Sequence, residues 1–380
     1  MTKIYLIRHA EAEGNLYRRG QGHFDGKITQ QGKKQIDALA ERFKDIELDA
    51  LYSSDLSRTQ TTAGAILKYH PELELKIEPR LREVCMGVWE DKAWGNLAYY
   101  EAEQLSYFSH DPEKWSVEGS ESFSALKTRM LNIVQVLAEE NDGKTIAAVS
   151  HGMAIRTLLA AILGIKSEEI HKIPHSDNTA VSLLSIENGG ITVEFFNDNS
   201  HLPLEISTFA KQSWWKEKSG VDRKNLRFEP LDLETDGEDY AKSYAETWSI
   251  VHGSLSDFDR DYYLVSAAEH IKKHPEALMK VVSNDEFIGV IEVDTERAKE
   301  DNAGWISLLF LTADNRGEQL GVQLLGHAVS VFRKMGRSSI RLHVAETNKR
   351  AIRFYFHYGF KKIGEVIRDK GKLLLMELEI

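Results

Sequence analysis

The chain has 380 residues, enough for about two domains of ordinary size. Its formal net charge of −11 argues against capture of a nucleic acid backbone, which needs clustered Lys and Arg. A single cysteine, Cys85, excludes an internal disulfide framework and a cysteine-based zinc site.

The first residues run straight into a strand-like stretch at 3–7, which ends on Arg8 and His9. This is not a signal-peptide pattern, and no apolar run approaches the roughly 18 residues of a membrane helix. The expectation is a cytoplasmic protein with no membrane and no nucleic-acid partner. Further strands are predicted at 50–53 and 145–149, and helices at 32–43, 56–69, 122–140 and 153–163. Runs at 180–187 and 191–196 flank Asn-Gly-Gly and read as a hairpin. The alternation predicts an α/β sandwich with a mostly parallel sheet.

Two of these strands share a grammar: "KIYLI" stops at Arg8-His9, and "TIAAV" stops at Ser150-His151. Ligand sites of open α/β sheets lie beyond the carboxyl ends of strands. Neighbouring strands would therefore bring His9 and His151 to one pocket, with Arg8 beside them. Arg58 falls early in the helix after the third strand and can reach the same edge. The helix following Gly152 would add amides that attract an anion. Two arginines, two histidines and a helix start describe a phosphate site.

The residues carrying that site resemble a known family. "LIRHAEAEGN", "QGHFDGKITQQGKKQ", "YSSDLSRTQTTA", "LREVCMGVWE", "EGSES" and "AVSHGMAIR" follow, in order, the motifs of the histidine phosphatase superfamily, the phosphoglycerate mutase-like fold. The resemblance covers about residues 1–200. It departs at Ala10, where the family usually has Gly, and at Ala12, where it usually has Thr or Ser. It implies that His9 is the nucleophile and that Arg8, Arg58 and His151 hold the phosphoryl oxygens. Asn15 is placed on the same group, and Glu83 becomes the general acid and then the base for water. His9, Glu83 and His151 are thus the expected catalytic residues of a metal-independent phosphomonoesterase needing no cofactor. The neighbouring arginines are expected to lower the Glu83 pKa, making it a competent acid mainly when a phosphate dianion offsets them. Only residues 84–117 separate Glu83 from "GES", a compactness that resembles the phosphatase branch more than the mutases. The aromatics there would form either a packed lid or a surface for an apolar phosphoester.

Periodicity weakens from 202 to 225, so 1–204 is assigned to the first domain, 205–224 to a linker on which Trp214 and Trp215 could dock, and 225–380 to a second, mixed α+β domain. Its expected elements are strands at 226–230, 277–282, 287–294, 304–311, 339–344, 360–367 and 372–379, with helices at 239–251, 257–270, 318–335 and 348–358. "HIKKH" spaces His270 and His274 as a helical zinc pair would, but no adjoining Glu or third ligand accompanies them. A solvated helix face is the expectation, with no metal. "ISLLFLTADNRGEQLGVQLLGHAV" reads as strand, turn and helix, and "LHVAETNKRAIRFYFHYGFKKIG" as strand, helix and Gly-Phe. Together they resemble the GNAT acetyltransferase fold over about residues 225–380. The resemblance implies an acetyl-CoA site with Leu309 and Leu311 along the pantetheine arm and Arg316, Gly317, Gln319 and Gly321 at the pyrophosphate. It implies Asn348 on coenzyme A and Tyr355 as the acid. Gln319 stands where the family has a glycine, which weakens the cradle if the position needs φ > 0. Glu292 and Glu346 are candidate bases. The whole reads as a bifunctional protein acting on a small-molecule phosphoester and an unidentified amine. The alternatives are a mutase in the first domain and a non-catalytic acetyl-CoA-binding or interaction module in the second. The oligomeric state is not legible.

Overall fold

The computed structural model describes residues 1–212, 222, 224–368 and 371–380, which form two compact units, Met1–Asp222 and Arg223–Ile380. The first is built on six strands, β1 (Thr2–Arg8), β2 (Ala50–Ser53), β3 (Leu75–Ile77), β4 (Thr145–Ser150), β5 (Val181–Glu187) and β6 (Gly190–Asp198), in the order β3-β2-β4-β1-β5-β6. Strands β1 to β4 are parallel, and β5 and β6 are antiparallel.

Both faces of this sheet are covered, which is why its central strands read as near-continuous apolar runs. Side chains alternate across the pleat. Ile4, Leu6, Ile146 and Ala148 join one core with the helices Phe123–Glu140 and Gly152–Ile162. Ile7, Leu51, Ala147 and Val149 join the other with Gln30–Phe43 and Ser57–Leu67. Side-chain oxygens start two of these helices: Thr29 accepts from the Gly32 amide and Ser122 from the Ala125 amide.

Residues 84–117 carry two short helices, Trp94–Tyr100 and Ala102–His110, whose bounds the sequence did not give. Trp89, Phe108, Trp115 and Phe123 interlock there at centroid distances of 5.1 to 6.0 Å, with Trp89 and Trp115 buried. These rings close a core, so they are not a substrate surface. Residues at the start of the expected linker are stitched to the first unit. Ser207 donates to Asp177 Oδ2 at 2.6 Å, Thr208 to Glu11 Oε2 at 3.1 Å, and Gln35 to the Ile206 carbonyl at 2.8 Å. Trp214 and Trp215 lie outside the described residues.

The second unit has seven strands, β7 (Arg227–Pro230), β8 (Leu278–Ser283), β9 (Glu286–Asp294), β10 (Ala303–Leu311), β11 (Ser339–Ala345), β12 (Lys361–Arg368) and β13 (Gly371–Glu379). Their order is β12-β13-β11-β10-β9-β8-β7, and only β10 and β11 run parallel. Helices Gly237–His252 and Arg260–Lys273 bring Tyr240 and Ala267 onto Leu278, Val290, Leu308 and Phe310. Phe332 of the helix Gly321–Lys334 packs on Gly304, where a Cβ would fall 2.3 Å from its ring. Strands β10 and β11 pair only from Ala303–Ser339 to Trp305–Arg341, whereas β10 stays paired to β9 as far as Leu311, with an irregularity between Ile306 and Leu308. Beyond Trp305 the parallel pair splays, leaving the rest of this β10 edge outside the β11 ladder.

Candidate active sites

The last rung of the β1–β4 ladder is Arg8 opposite Ser150. The next residues of two parallel strands, His9 and His151, must then emerge side by side, and their ring centroids are 5.3 Å apart. The His9 amide donates to the Ser150 carbonyl at 3.0 Å, which carries the register one residue past the strand. His9 Nδ1 lies 2.7 Å from the Ala10 carbonyl. A carbonyl only accepts, so Nδ1 holds the proton and Nε2 keeps its lone pair.

Arg58, the second residue of its helix, is fully buried. Its Nη1 donates to the Phe24 carbonyl at 2.8 Å and its Nη2 to the Gly22 carbonyl at 2.6 Å. Nη2 also lies 3.1 Å from His151 Nδ1. Arginine only donates, so His151 Nδ1 accepts and Nε2 carries the proton, 3.0 Å from Ser54 Oγ. Arg8 Nη1 donates to the Ser176 carbonyl. Nε of Arg8 and Nε of Arg58 are buried and bond to no atom of the described residues. Two orphaned guanidinium N–H groups beside a histidine pair suit a multiply charged oxyanion. Gly152 lets Arg8 lie close, since a Cβ there would sit 3.2 Å from Arg8 Nε.

Asn15 is held rather than loose: its Oδ1 accepts from the Ala12 amide at 3.1 Å and from Asn178 Nδ2 at 3.4 Å. Asn178 Nδ2 also donates to the His9 carbonyl at 3.0 Å. Ser54, Asn178 and Ser176 did not stand out in the sequence. Their only signal is position, since each lies in a loop bordering a strand next to β1 or β4.

Glu83 departs from two expectations. Both its oxygens accept backbone amides at the start of Gly152–Ile162, Met153 N at 2.9 Å and Ala154 N at 2.8 Å, and Oε1 also takes Val84 N at 3.0 Å. The amides expected to meet a phosphate are therefore occupied by the protein's own carboxylate. Its pKa is also raised, not lowered: burial outweighs the Met153 and Val84 amides and Arg58. Burial thus makes Glu83 a weaker acid than a solvated carboxyl before any substrate arrives. Burial, then Arg58 and Arg8, hold His9 well below the usual histidine range. Burial, Arg58 and His9 do the same to His151. Arg58 is pushed down to about 10 by burial and stays a cation at neutral pH. The site therefore pairs cationic arginines with neutral imidazoles.

In the second unit, Leu309 is half-buried and Leu311 buried on the splayed end of β10. Arg316 donates through Nε to the Leu311 carbonyl at 2.6 Å and through Nη2 to Glu246. Gly317 has φ +95° and Gln319 φ +61°, and Gly321 opens the following helix. The position of Gln319 does adopt the left-handed region, which costs a side-chain-bearing residue on the order of 1–2 kcal/mol. Asn348 Oδ1 caps its own helix by accepting from Ala351 N at 3.0 Å. Tyr355 is buried between Phe354 and Phe360, and burial raises its hydroxyl pKa.

Of the two candidate bases, Glu346 is exposed, 3.7 Å from Lys372. Glu292 is buried and accepts from Tyr240 at 3.1 Å and from His270 Nδ1 at 2.7 Å. His270 Nε2 lies 3.4 Å from Asp294. His270 is therefore not on a solvated face, because β9 places two carboxylates against its two nitrogens. These lift it to about 9 against the opposing pull of burial. Among the described residues, no three His, Cys, Asp or Glu side chains are grouped to hold a metal ion.

Residues 4–199 match the model of the histidine phosphatase superfamily, branch 1. The chain belongs to the histidine phosphatase superfamily. Residues 238–360 match the acetyltransferase (GNAT) family model, so the chain joins a histidine phosphatase domain to a GNAT domain. Phosphoserine phosphatase 1 of Hydrogenobacter thermophilus is 29% identical over 202 residues, covering 53% of this chain and 95% of that protein. A probable phosphoglycerate mutase GpmB of Yersinia pestis is 31% identical over 209 residues, 54% of this chain and 96% of that one. The solved structure of Bacillus stearothermophilus YhfR superposes with a TM-score of 0.51 at 28% identity, covering 53% of this chain and 99% of its own. No helix among the described residues is long and apolar enough to cross a membrane.

The two domains should respond oppositely to pH. His9, His151 and His175 are held well below, and His201 at about 4, so the unfolded chain binds protons that the folded phosphatase domain refuses. Their contribution is present above about 6.5 and lost as pH falls, by up to about 1.4 kcal/mol per pH unit for each. The raised carboxyls Glu11 and Glu83 oppose this with fewer protons. His270 contributes stability below about 6.5 that is lost as pH rises through about 9. In calorimetry of the full chain, the transition shifted by orthovanadate should fall between pH 7.5 and 5.5. The other should fall between pH 7.5 and 9.5. Transitions that move together would contradict the assignment.

Proposed function

We propose that the histidine phosphatase domain hydrolyses a phosphomonoester through a phosphohistidine on His9. The observation that carries this reading is the tautomer of His9: Nδ1 donates to Ala10, so the Nε2 lone pair is available, and neutral, beside two arginines. Nε2 attacks phosphorus, and the bond to the ester oxygen breaks. Arg8 and Arg58 hold the non-bridging oxygens, with their orphaned Nε–H groups as donors. Glu83, whose pKa is raised, gives its proton to the leaving oxygen. The alcohol departs and water takes its place. Glu83, now a carboxylate stabilised by the Met153, Ala154 and Val84 amides, removes a proton from that water as it attacks phosphorus. The P–N bond breaks, and phosphate and neutral His9 are restored. His151, whose Nε2 proton meets Ser54 Oγ at 3.0 Å, and Asn15 border the same group. The relatives named phosphoserine phosphatase and probable phosphoglycerate mutase make phosphoserine and 3-phosphoglycerate the first esters to try.

A panel of phosphomonoesters including these two and an aryl phosphate should be hydrolysed by the full chain without added metal and in EDTA. His9→Ala should lose at least about 10⁴-fold, as expected when a nucleophile is removed. Interconversion of phosphoglycerates with no phosphate released would favour the mutase reading. Turnover that survives His9→Ala would refute the mechanism.

We infer that the GNAT domain transfers an acetyl group from acetyl-CoA to an amine. Acetyl-CoA, when bound, supplies the acetyl group as an activated thioester. The chain fits it in three respects. The splayed end of β10 leaves the backbone near Leu309 and Leu311 able to pair with an amide-bearing arm. The turn from Arg316 through Gly317 and Gln319 into Gly321 leads to a helix N-terminus suited to a pyrophosphate. Tyr355, raised by burial, keeps its proton at neutral pH and has one to donate. Asn348, which caps its helix, would meet the cofactor only through its remaining polar atoms.

Gln319→Gly removes a strained side chain from the turn. Its dissociation constant for coenzyme A, measured by calorimetry, should fall by roughly fivefold, in line with about 1 kcal/mol of αL strain released. An unchanged or weaker affinity would show that Gln319 itself contacts the ligand or that the turn does not hold it.

A further inference from the structure

Glu90 closes the motif "LREVCMGVWE" without an assigned role in phosphoryl transfer, yet one carboxylate here gathers four backbone amides. Its Oε2 accepts from Gly22 N at 3.1 Å and Phe24 N at 2.8 Å, and its Oε1 from His23 N at 2.8 Å and Met86 N at 2.9 Å. Three successive N–H groups turned to one side form an anion nest, here filled from within the chain. In a trans peptide the carbonyl opposes the N–H, so clasping the His23 amide turns the Gly22 carbonyl away from Glu90. Gly22 O and Phe24 O are the two that hold Arg58. Arg58 in turn fixes the tautomer of His151. The loop has no slack, since a Cβ on Gly22 would fall 2.4 Å from the Val84 carbonyl and 2.5 Å from Glu90 Oε1. His23 ties it to the acid as well, with Nε2 3.0 Å from the Glu83 carbonyl.

We propose that Glu90 is a positioning residue for phosphoryl transfer, setting the orientation of the Arg58 guanidinium by clasping the loop at 22–24 that carries its carbonyl acceptors. This rests on the phosphohydrolase reading of the His9 site. Glu90 touches no reacting atom. Held at the His23 amide, the Gly22–His23 peptide turns its Gly22 carbonyl to Arg58, and held at the Phe24 amide, Phe24 is fixed where its own carbonyl is the second acceptor. Arg58 then presents Nε to the phosphoryl group and Nη2 to His151. A displaced Arg58 would bind substrate nearly as well through charge alone. It would lose the directed donors that act on the transferring group.

Glu90→Gln replaces one acceptor oxygen with an NH2 group, which must face amide donors. In the full chain, its kcat on the best ester of the panel should fall about 10²-fold, as misplacement by about an ångström does, with KM changing far less. The decisive comparison uses Arg58→Lys, whose ammonium cannot bridge both carbonyls and His151. There Glu90→Gln should change kcat by no more than about twofold, because the residue it acts through is gone. An equal loss in both backgrounds, or no loss in the first, would overturn the proposal. Should Glu90→Gln fail to unfold cooperatively, Glu90→Asp, which keeps the charge one methylene back, takes its place in the same cycle. Should the wild type hydrolyse no ester, the functional reading fails on its own terms. The clasp is then judged by calorimetric binding of inorganic phosphate, which Glu90→Gln must weaken when Arg58 is present and leave unchanged in the Arg58→Lys background.

Discussion

The pairing of β1 with β4 is the constraint on which the phosphatase site depends. Parallel strands advance together, so a ladder that closes with Arg8 opposite Ser150 must deliver His9 and His151 at one level. A slip of one residue would turn one of the two imidazoles to the opposite face of the sheet. The slip is resisted along the whole length of both strands. Ile4, Leu6, Ile146 and Ala148 would leave one helical layer, and Ile7, Ala147 and Val149 the other. The apolar cores on both faces therefore fix the geometry of a polar site at the sheet edge.

What stands at that edge is costly to bury. Two guanidinium groups are withdrawn from water, and backbone carbonyls make their close hydrogen bonds: Ser176 for Arg8, Gly22 and Phe24 for Arg58, with the half-exposed Asp25 carboxylate 3.7 Å from Arg58 Nη1. Carbonyl dipoles satisfy N–H groups without cancelling the charge, so a net positive field remains for a phosphoryl group. The buried carboxylate Glu83 is turned into the first turn of a helix, where the Met153 and Ala154 amides, with that of Val84, steady its ionised form while burial favours the protonated one. Opposed influences on its two states suit an acid that must become a base within one turnover. In the GNAT domain, His270 sits between Glu292 and Asp294, and Tyr240 completes the set. Glu292 is thereby fully engaged, a structural pairing that binds the two helices to β9.

The legible parts of this chain were those with local grammar. Strand runs that stop at histidine and the Arg58 position in its helix follow from neighbours in sequence. The pairs that escaped are long-range. Nothing in "GVWE" announces that Glu90 meets amides some 66 to 68 residues away, and nothing in "HIKKH" shows that β9 will bring two carboxylates to His270. The sign of the Glu83 shift was missed for a related reason. Sequence supplies the arginines but not the depth of burial, and burial prevailed. Part of the aromatic stretch at 84–117 resolved into a packed cluster because Trp89 and Trp115 face one another and Phe108 inside it, while Tyr99 and Tyr100 stay exposed, an arrangement that composition does not encode. Gln319 shows the converse: the sequence posed a question about backbone, and its φ of +61° answers it.

The central claim is that the lone pair of His9 Nε2, exposed by the hydrogen bond from Nδ1 to Ala10, accepts the phosphoryl group. Rapid mixing of the full chain with a turned-over phosphoester, an alkaline quench that preserves phosphoramidates, and peptide mapping by mass spectrometry would test it most directly. The account predicts a phosphoryl group on His9 that forms no more slowly than turnover and disappears when substrate is exhausted. Steady hydrolysis with no phosphorylated histidine, or with the group on another residue, would contradict it.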